Sequence, residues 1–172
     1  MIGVICTDTG SIHTVPGREV LLQMIFIRIS SNALRSAFMT LFVDTQSWPI
    51  VRLTMPEHVP DGDAEAYVER LRAVYTLGKP FVLFMAGAEL PRHSPAFMQA
   101  YGAWAMESME MQRRLCRGAV RIEPDAQLRA AYRDRAAAAA STNPPPYPYE
   151  IVADEEDAAV LADGWLAATP QS

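Results

Sequence analysis

The sequence predicts an α/β domain: a mostly parallel sheet of four to five strands with about four helices around it. Three observations predict it. The run Phe81–Met85 is short and wholly apolar, which is typical of a central strand covered on both faces. Strand-like and helix-like segments alternate along the chain, an order that favours crossover connections and parallel pairing. The chain has 172 residues, half of them hydrophobic, which is enough to bury one core.

Residues 1–38 differ in composition from the rest of the chain, being rich in Thr, Ser and Gly without long periodicity. Three interpretations are open. Met39 is the true start and the gene model is over-extended, or the segment is a flexible tail, or Leu21–Ile29 adds an edge strand. The composition shift favours the first two. We therefore expect a poorly structured extension over 1–38 and the domain over 39–168.

The domain begins with two β-rich segments, Leu41–Asp44 and Trp48–Thr54, which predict a hairpin. A helix comes next, capped by Asp61 or Asp63 and ended by Gly78. Its apolar residues recur at helical spacing, and they are Tyr67, Leu71 and Val74.

After the strand at Phe81–Met85, Ser94-Pro95 is typical of a helix start and Gly118 of its end. The next elements are a short strand at Ala119–Ile122 and a helix from Asp125 to about Ala140. The stripe on the long helix alternates spacings of four and three, through Phe97, Tyr101, Trp104, Ser108, Met111 and Leu115. We interpret it as a core-facing stripe rather than a cofactor site.

The segment 143–149 is rich in proline, which favours polyproline II geometry. We interpret it as a stiff connector that delivers a last strand at Tyr149–Val152, although a docking ligand for an aromatic groove is the alternative. Asp154 then caps a final helix that ends at Thr169-Pro170.

Charge, hydrophobic runs and cysteine content limit the classes of function that the sequence supports. The net charge is −5, which does not steer a protein toward nucleic acid or anionic lipid. Arginines 113, 114, 117 and 121 cluster; a solvated helix face explains them, and a small anion or acidic partner is the alternative. The longest apolar run, Val20–Ile29, is about half the length that spans a bilayer. Two distant cysteines, Cys6 and Cys116, fit a reducing cytoplasm rather than disulfides or zinc.

Motifs for cofactor and metal chemistry are absent from the sequence. It has no phosphate-binding glycine loop and no nucleophile elbow. The histidines, His13, His58 and His93, lack metal-ligand spacing, and we interpret them as loop residues. Acidic residues at 154–157 are expected at a helix start. We therefore predict no catalytic residues, no metal and no cofactor.

One loop remains as the candidate site, residues 86–94, because it comes directly after the predicted central strand and leads into a helix. Functional sites of open α/β sheets favour that place. The residues we single out for a switch or partner contact are Gly87, Arg92, His93 and Ser94. Ser94 is interpreted either as a plain helix cap or as a phosphorylation site, where added negative charge would meet the helix N-terminus.

Several motifs together resemble bacterial STAS-like proteins, a group that includes the anti-sigma-factor antagonists. They are the hairpin-like start, Gly78-Lys79-Pro80-Phe81-Val82-Leu83, Ser94-Pro95 before the long helix, Arg117-Gly118-Ala119-Val120, the proline-rich 144–149, and Asp157-Ala158-Ala159 with Trp165-Leu166. The resemblance covers roughly residues 39–167.

The resemblance implies a cytoplasmic, non-enzymatic regulatory or protein-interaction domain, whose partner is another protein. In the antagonists a serine soon after the central strand, in an Asp-x-Ser pattern, is phosphorylated. This chain lacks that pattern, and Ser94 matches it only by topology. Related small bacterial proteins also resemble lipid-binding CRAL-TRIO domains in fold. The Met-rich helix from Phe97 to Leu115 supports the alternative of a small apolar ligand or lipid.

Overall fold

The computed structural model describes residues 42–91 and 93–168. The predicted extension over 1–38, its boundary at Met39 and Arg92 lie outside the described residues. In the described part no helix is long and apolar enough to cross a membrane.

Five strands form one sheet in the order β1-β2-β3-β4-β5. The strands are β1 (Val43–Asp44), β2 (Ile50–Met55), β3 (Phe81–Gly87), β4 (Cys116–Ile122) and β5 (Tyr149–Val152). β1 pairs antiparallel with β2, as the hairpin predicted, and every later pair is parallel. The predicted α/β class with a mostly parallel sheet is confirmed.

Five α-helices surround the sheet in the described residues, one more than predicted. They are α1 (Ala64–Thr76), α2 (Pro95–Glu107), α3 (Met109–Leu115), α4 (Ala126–Thr142) and α5 (Glu155–Ala167). The extra helix arises because the predicted long helix is interrupted at Ser108, whose φ of −97° and ψ of 7° leave helical geometry. The Ser108 hydroxyl donates to the Trp104 carbonyl at 2.6 Å, beside the backbone bond that the Ser108 amide donates to it at 2.9 Å. Such bonding of a serine side chain to the preceding turn often bends a helix.

β3 lies at the centre of the sheet, as its apolar run predicted, and Phe81–Phe84 are all buried. Alternate β3 residues point to opposite faces. Phe81 and Leu83 pack with α1 and α2, whereas Val82 and Phe84 pack against α5. The sheet is therefore covered on both faces, which is the arrangement that a continuous apolar strand requires.

The structure corrects the role of Gly118. We expected this glycine to end the long helix, but α3 already ends at Leu115 and Gly118 lies inside β4. A Cβ atom at position 118 would overlap the indole of Trp165 on α5. The glycine is therefore required by close packing of a helix on the sheet rather than by a helix end.

Three other predicted helix-end signals match the structure. Asp63 precedes α1 without a side-chain capping bond, however, and the predicted helix end at Thr169-Pro170 lies outside the described residues. Gly78 comes just after α1 with a φ of +64°, and its amide donates to the Tyr75 carbonyl. Asp125 caps α4 through bonds from two backbone amides, and Asp154 caps α5 through the amide of Asp157.

Candidate functional site

The predicted loop joins the end of β3 to the start of α2, at the edge where the parallel strands have their carboxyl ends. We call residues 87–94 the β3–α2 loop. Its position agrees with the sequence-based expectation. The structure adds that several elements contact the two ends of this loop, at Gly87–Glu89 and at Ser94.

Gly87 fixes the direction in which the chain leaves β3. Its φ is +79°, a region that side chains rarely adopt, and a Cβ atom would overlap the carbonyl of Met55 on the neighbouring strand. The next amide, that of Ala88, donates to the same Met55 carbonyl at 2.9 Å. Glycine is needed here because the loop passes directly against the end of β2.

Arg121 of β4 holds the loop from beneath. Its side chain is almost fully buried, at 1% exposure, and its guanidinium donates to the Gly87 carbonyl and, at a longer 3.4 Å, to that of Ala88. The guanidinium also lies over the ring of Tyr132, 4.1 Å from its centroid. Its Nε atom has no hydrogen-bond partner among the described residues. A buried cation bound to loop carbonyls restricts the loop strongly.

A second arginine ties the loop to α4. Arg135 bonds to the carboxylate of Glu89 at 3.0 Å and lies 4.7 Å from the centroid of the Tyr132 ring. Tyr132 thus contacts both Arg121 and Arg135 through cation–π interactions. The loop, β4 and α4 therefore form one connected polar cluster at this edge.

Ser94 anchors the far end of the loop in a way that the sequence did not predict. It stands directly before α2, as expected, but its hydroxyl forms no capping bond. Instead Oγ accepts the Val59 amide at 2.7 Å and lies 3.2 Å from Nδ1 of His58. Val59 is buried and its amide needs an acceptor, so it uses the hydroxyl that would otherwise cap the helix.

The pairing of Ser94 with His58 brings a hydroxyl and an imidazole together. In the sequence the neighbour of Ser94 is His93, so this contact between distant residues was missed. Ser94 has no exposed surface, and its oxygen already accepts a backbone amide. A nucleophile needs access to its substrate, which Ser94 lacks in this conformation. The contact between Ser94 and His58 instead links the β2–α1 connection to the loop.

The outer face of the loop and the adjoining β2–α1 connection carry the accessible groups. His93 and His58 are exposed, Glu89 and Leu90 are half-buried, and Ser94 lies beneath them. Of the residues predicted for partner contact, Gly87 and Ser94 shape the loop and His93 is exposed to solvent.

An interior cavity of about 30 Å³ lies between the sheet and the helices α1 and α2. Aromatic residues line it together with aliphatic ones, and we call Tyr75, Tyr101 and Tyr147 the tyrosine cluster. Burial raises the pKa of all three phenols. Trp104 also lines the cavity, and its indole NH has no acceptor among the described residues. The space suffices for a water molecule.

Cys116 lies next to the tyrosine cluster and is buried. Burial raises the pKa of its thiol to about 12, and the thiol lies 3.3 Å from the Gly118 carbonyl, to which it donates. The protonated thiol is a poor nucleophile and metal ligand. Across the described residues no group of three His, Cys, Asp or Glu side chains is arranged to hold a metal ion.

No protein-family model, no curated protein and no solved structure matches the chain.

Proposed function

We propose that this protein is a non-enzymatic, regulatory protein-interaction domain, resembling the STAS anti-sigma-factor antagonists, that binds a partner protein through its β3–α2 loop. The observation that carries the proposal is the fixation of this loop by Arg121. A loop held in one conformation before binding loses little conformational entropy when a partner docks. The carboxyl edge of a parallel sheet is also where such domains place their functional loops.

The protection of the nucleophilic groups supports a role without catalysis. Ser94 is buried beneath the loop, and the Cys116 thiol is buried and protonated. Partner contact is assigned to His93 and His58, whose side chains reach solvent. Because the Ser94 hydroxyl is covered, phosphorylation there would require the loop to open first, and the proposal does not depend on that modification.

The competing proposal is a domain that binds a small apolar ligand or lipid. The observation in its favour is that Tyr101 and Trp104, both on the predicted Met-rich helix, line the interior cavity. Its volume of about 30 Å³ is far below the roughly 300 Å³ at which ligand pockets begin. The cavity size therefore favours protein interaction over ligand storage.

Purification of the tagged full chain from its host tests the proposal. We expect a stoichiometric protein partner that is retained by Glu69→Ala, an exposed change on α1, and lost on His93→Ala. A partner that survives His93→Ala would place binding elsewhere and overturn the loop assignment.

Two mass measurements separate the alternatives. A native mass of the purified protein that exceeds the bare chain by one small molecule would favour the ligand-binding proposal. Peptide mass spectrometry that finds phosphate on Ser94 would show that the loop opens in the cell. If Ser94 carries no phosphate, the effect of His93→Ala on partner recovery is the sole test.

A further inference from the structure

A surface groove at the opposite edge of the sheet carries the strongest feature outside the candidate site. We call it the arginine groove, because it is lined by Arg113, Arg114 and Arg117. It has a volume of about 590 Å³ and is open to solvent. Cys116 begins β4 at this edge, whereas Gly87 ends β3 at the other. A strand of this length separates the two by about 20 Å, so the groove is separate from the β3–α2 loop.

The charge of the groove opposes that of the protein. The chain has 15 Lys and Arg against 20 Asp and Glu, yet the groove holds three arginines and one carboxylate, Glu110. Glu110 binds Arg113 at 2.7 Å. Arg114 and Arg117 have no carboxylate partner among the described residues. Two arginines without a carboxylate partner in the described part of the chain therefore line the same concave surface.

Helix electrostatics explain only part of this cluster. Arg113 and Arg114 lie in the last turn of α3, where cations are favoured. Arg117 does not lie on a helix; it is a half-buried residue of β4. A partly desolvated guanidinium with no paired carboxylate is costly, and a bound anion would offset that cost.

The apolar part of the groove is rigid. Pro146 and Pro148 flank Tyr147, and the ring of Trp165 is held against Gly118 of β4. Prolines fix the backbone before binding. The groove therefore offers fixed guanidinium forks beside a preformed apolar surface, a combination that suits a carboxylate-bearing chain.

We infer that the arginine groove binds a short acidic peptide segment of a partner protein, with carboxylates at Arg114 and Arg117. The net negative charge of the whole protein repels long polyanions such as nucleic acid and anionic membranes. A short acidic segment avoids most of that repulsion because salt screens distant charges. A second copy of the chain would bring its own net negative charge to the groove and is disfavoured for the same reason.

The test uses a fluorescein-labelled hexaglutamate peptide and the full chain in low salt, with hexalysine as the charge-reversed probe. We expect anisotropy to report saturable binding of hexaglutamate that weakens with added salt. The Arg114→Gln and Arg117→Gln double variant should weaken it roughly tenfold or more. The double variant Arg70→Gln and Lys79→Gln removes the same charge from positions that do not line the groove, and it should bind as the wild type does.

Three outcomes would overturn the inference. They are no saturable binding of hexaglutamate, equal losses in the two double variants, and concentration-dependent self-association by sedimentation that the groove variant abolishes. The last result would assign the groove to a second copy. Because His93→Ala leaves the groove intact, failure here is distinguishable from failure of the loop proposal.

Discussion

Replacing Arg121 tests how the β3–α2 loop is held. The guanidinium contributes one charged hydrogen bond to the Gly87 carbonyl and a longer one to Ala88, and such bonds are worth about 1.5–3 kcal/mol each at good geometry. Cation–π contact with Tyr132 adds about 1 kcal/mol. Against these gains stands the desolvation of a buried cation, which costs several kcal/mol.

The two substitutions of Arg121 separate these contributions. Arg121→Met removes the bonds and also the buried charge, so we expect a loss of about 1–2 kcal/mol in the free energy of unfolding. Arg121→Lys keeps the charge but loses the planar fork and its position over Tyr132, so we expect a larger loss of about 3 kcal/mol. Wild type should be the most stable, followed by Met and then Lys.

Urea unfolding monitored by circular dichroism gives the order, and hydrogen exchange gives the location. The amide of Ala88, which donates to Met55, should exchange faster in both variants, while amides at the centre of β3 change less. A lysine variant as stable as wild type, or an unchanged Ala88 amide, would show that Arg121 does not hold the loop.

Three further predictions concern the core. Gly118→Ala should lower the free energy of unfolding by about 1–3 kcal/mol, because the new methyl overlaps Trp165; Trp165→Leu in the same chain should recover part of the loss in urea unfolding. The free energy of unfolding should fall as pH rises above about 10, because the unfolded chain releases protons that the tyrosine cluster retains through its raised pKa values. The slope should approach 1.4 kcal/mol per pH unit per buried phenol, and urea titrations of Tyr147→Phe should show a shallower slope, whereas an equal slope would contradict the assignment. Cys116, whose pKa is raised to about 12, should react with iodoacetamide far more slowly in the folded protein than in urea, as peptide mass spectrometry measures; similar rates would refute its burial.

Local patterns predicted the sheet, and the reason is physical. The wholly apolar run at Phe81–Phe84 requires cover on both faces, and the cap signals at Asp125, Asp154 and Gly78 act over a single helical turn. The interruption at Ser108 was missed because the apolar stripe continues across it. The spacing of apolar residues does not reveal the backbone dihedral angles of a single residue.

The anchors of the candidate site were harder to predict because they depend on distant pairs. The Ser94 hydroxyl meets Val59 and His58, which lie 35 and 36 residues earlier. Arg121 was grouped with the other arginines as solvated helix charge. The sequence did contain a signal for Arg121. Side chains alternate along a strand, so Arg121 shares the face of β4 that carries Ala119 rather than the face that carries Val120. A guanidinium on a covered sheet face needs a buried hydrogen-bond acceptor.

Site-specific photocrosslinking tests the proposed partner-binding loop most directly. A photoreactive phenylalanine analogue replaces Leu90, a half-buried residue of the loop, in one full-length chain and Glu69 in another, so that His93 stays in place. Both chains are irradiated in host cells. We predict one discrete crosslinked protein from position 90, absent from position 69 and lost when Arg121→Lys releases the loop. The same product from both positions, or a product at 90 that survives release of the loop, would contradict partner binding through the β3–α2 loop.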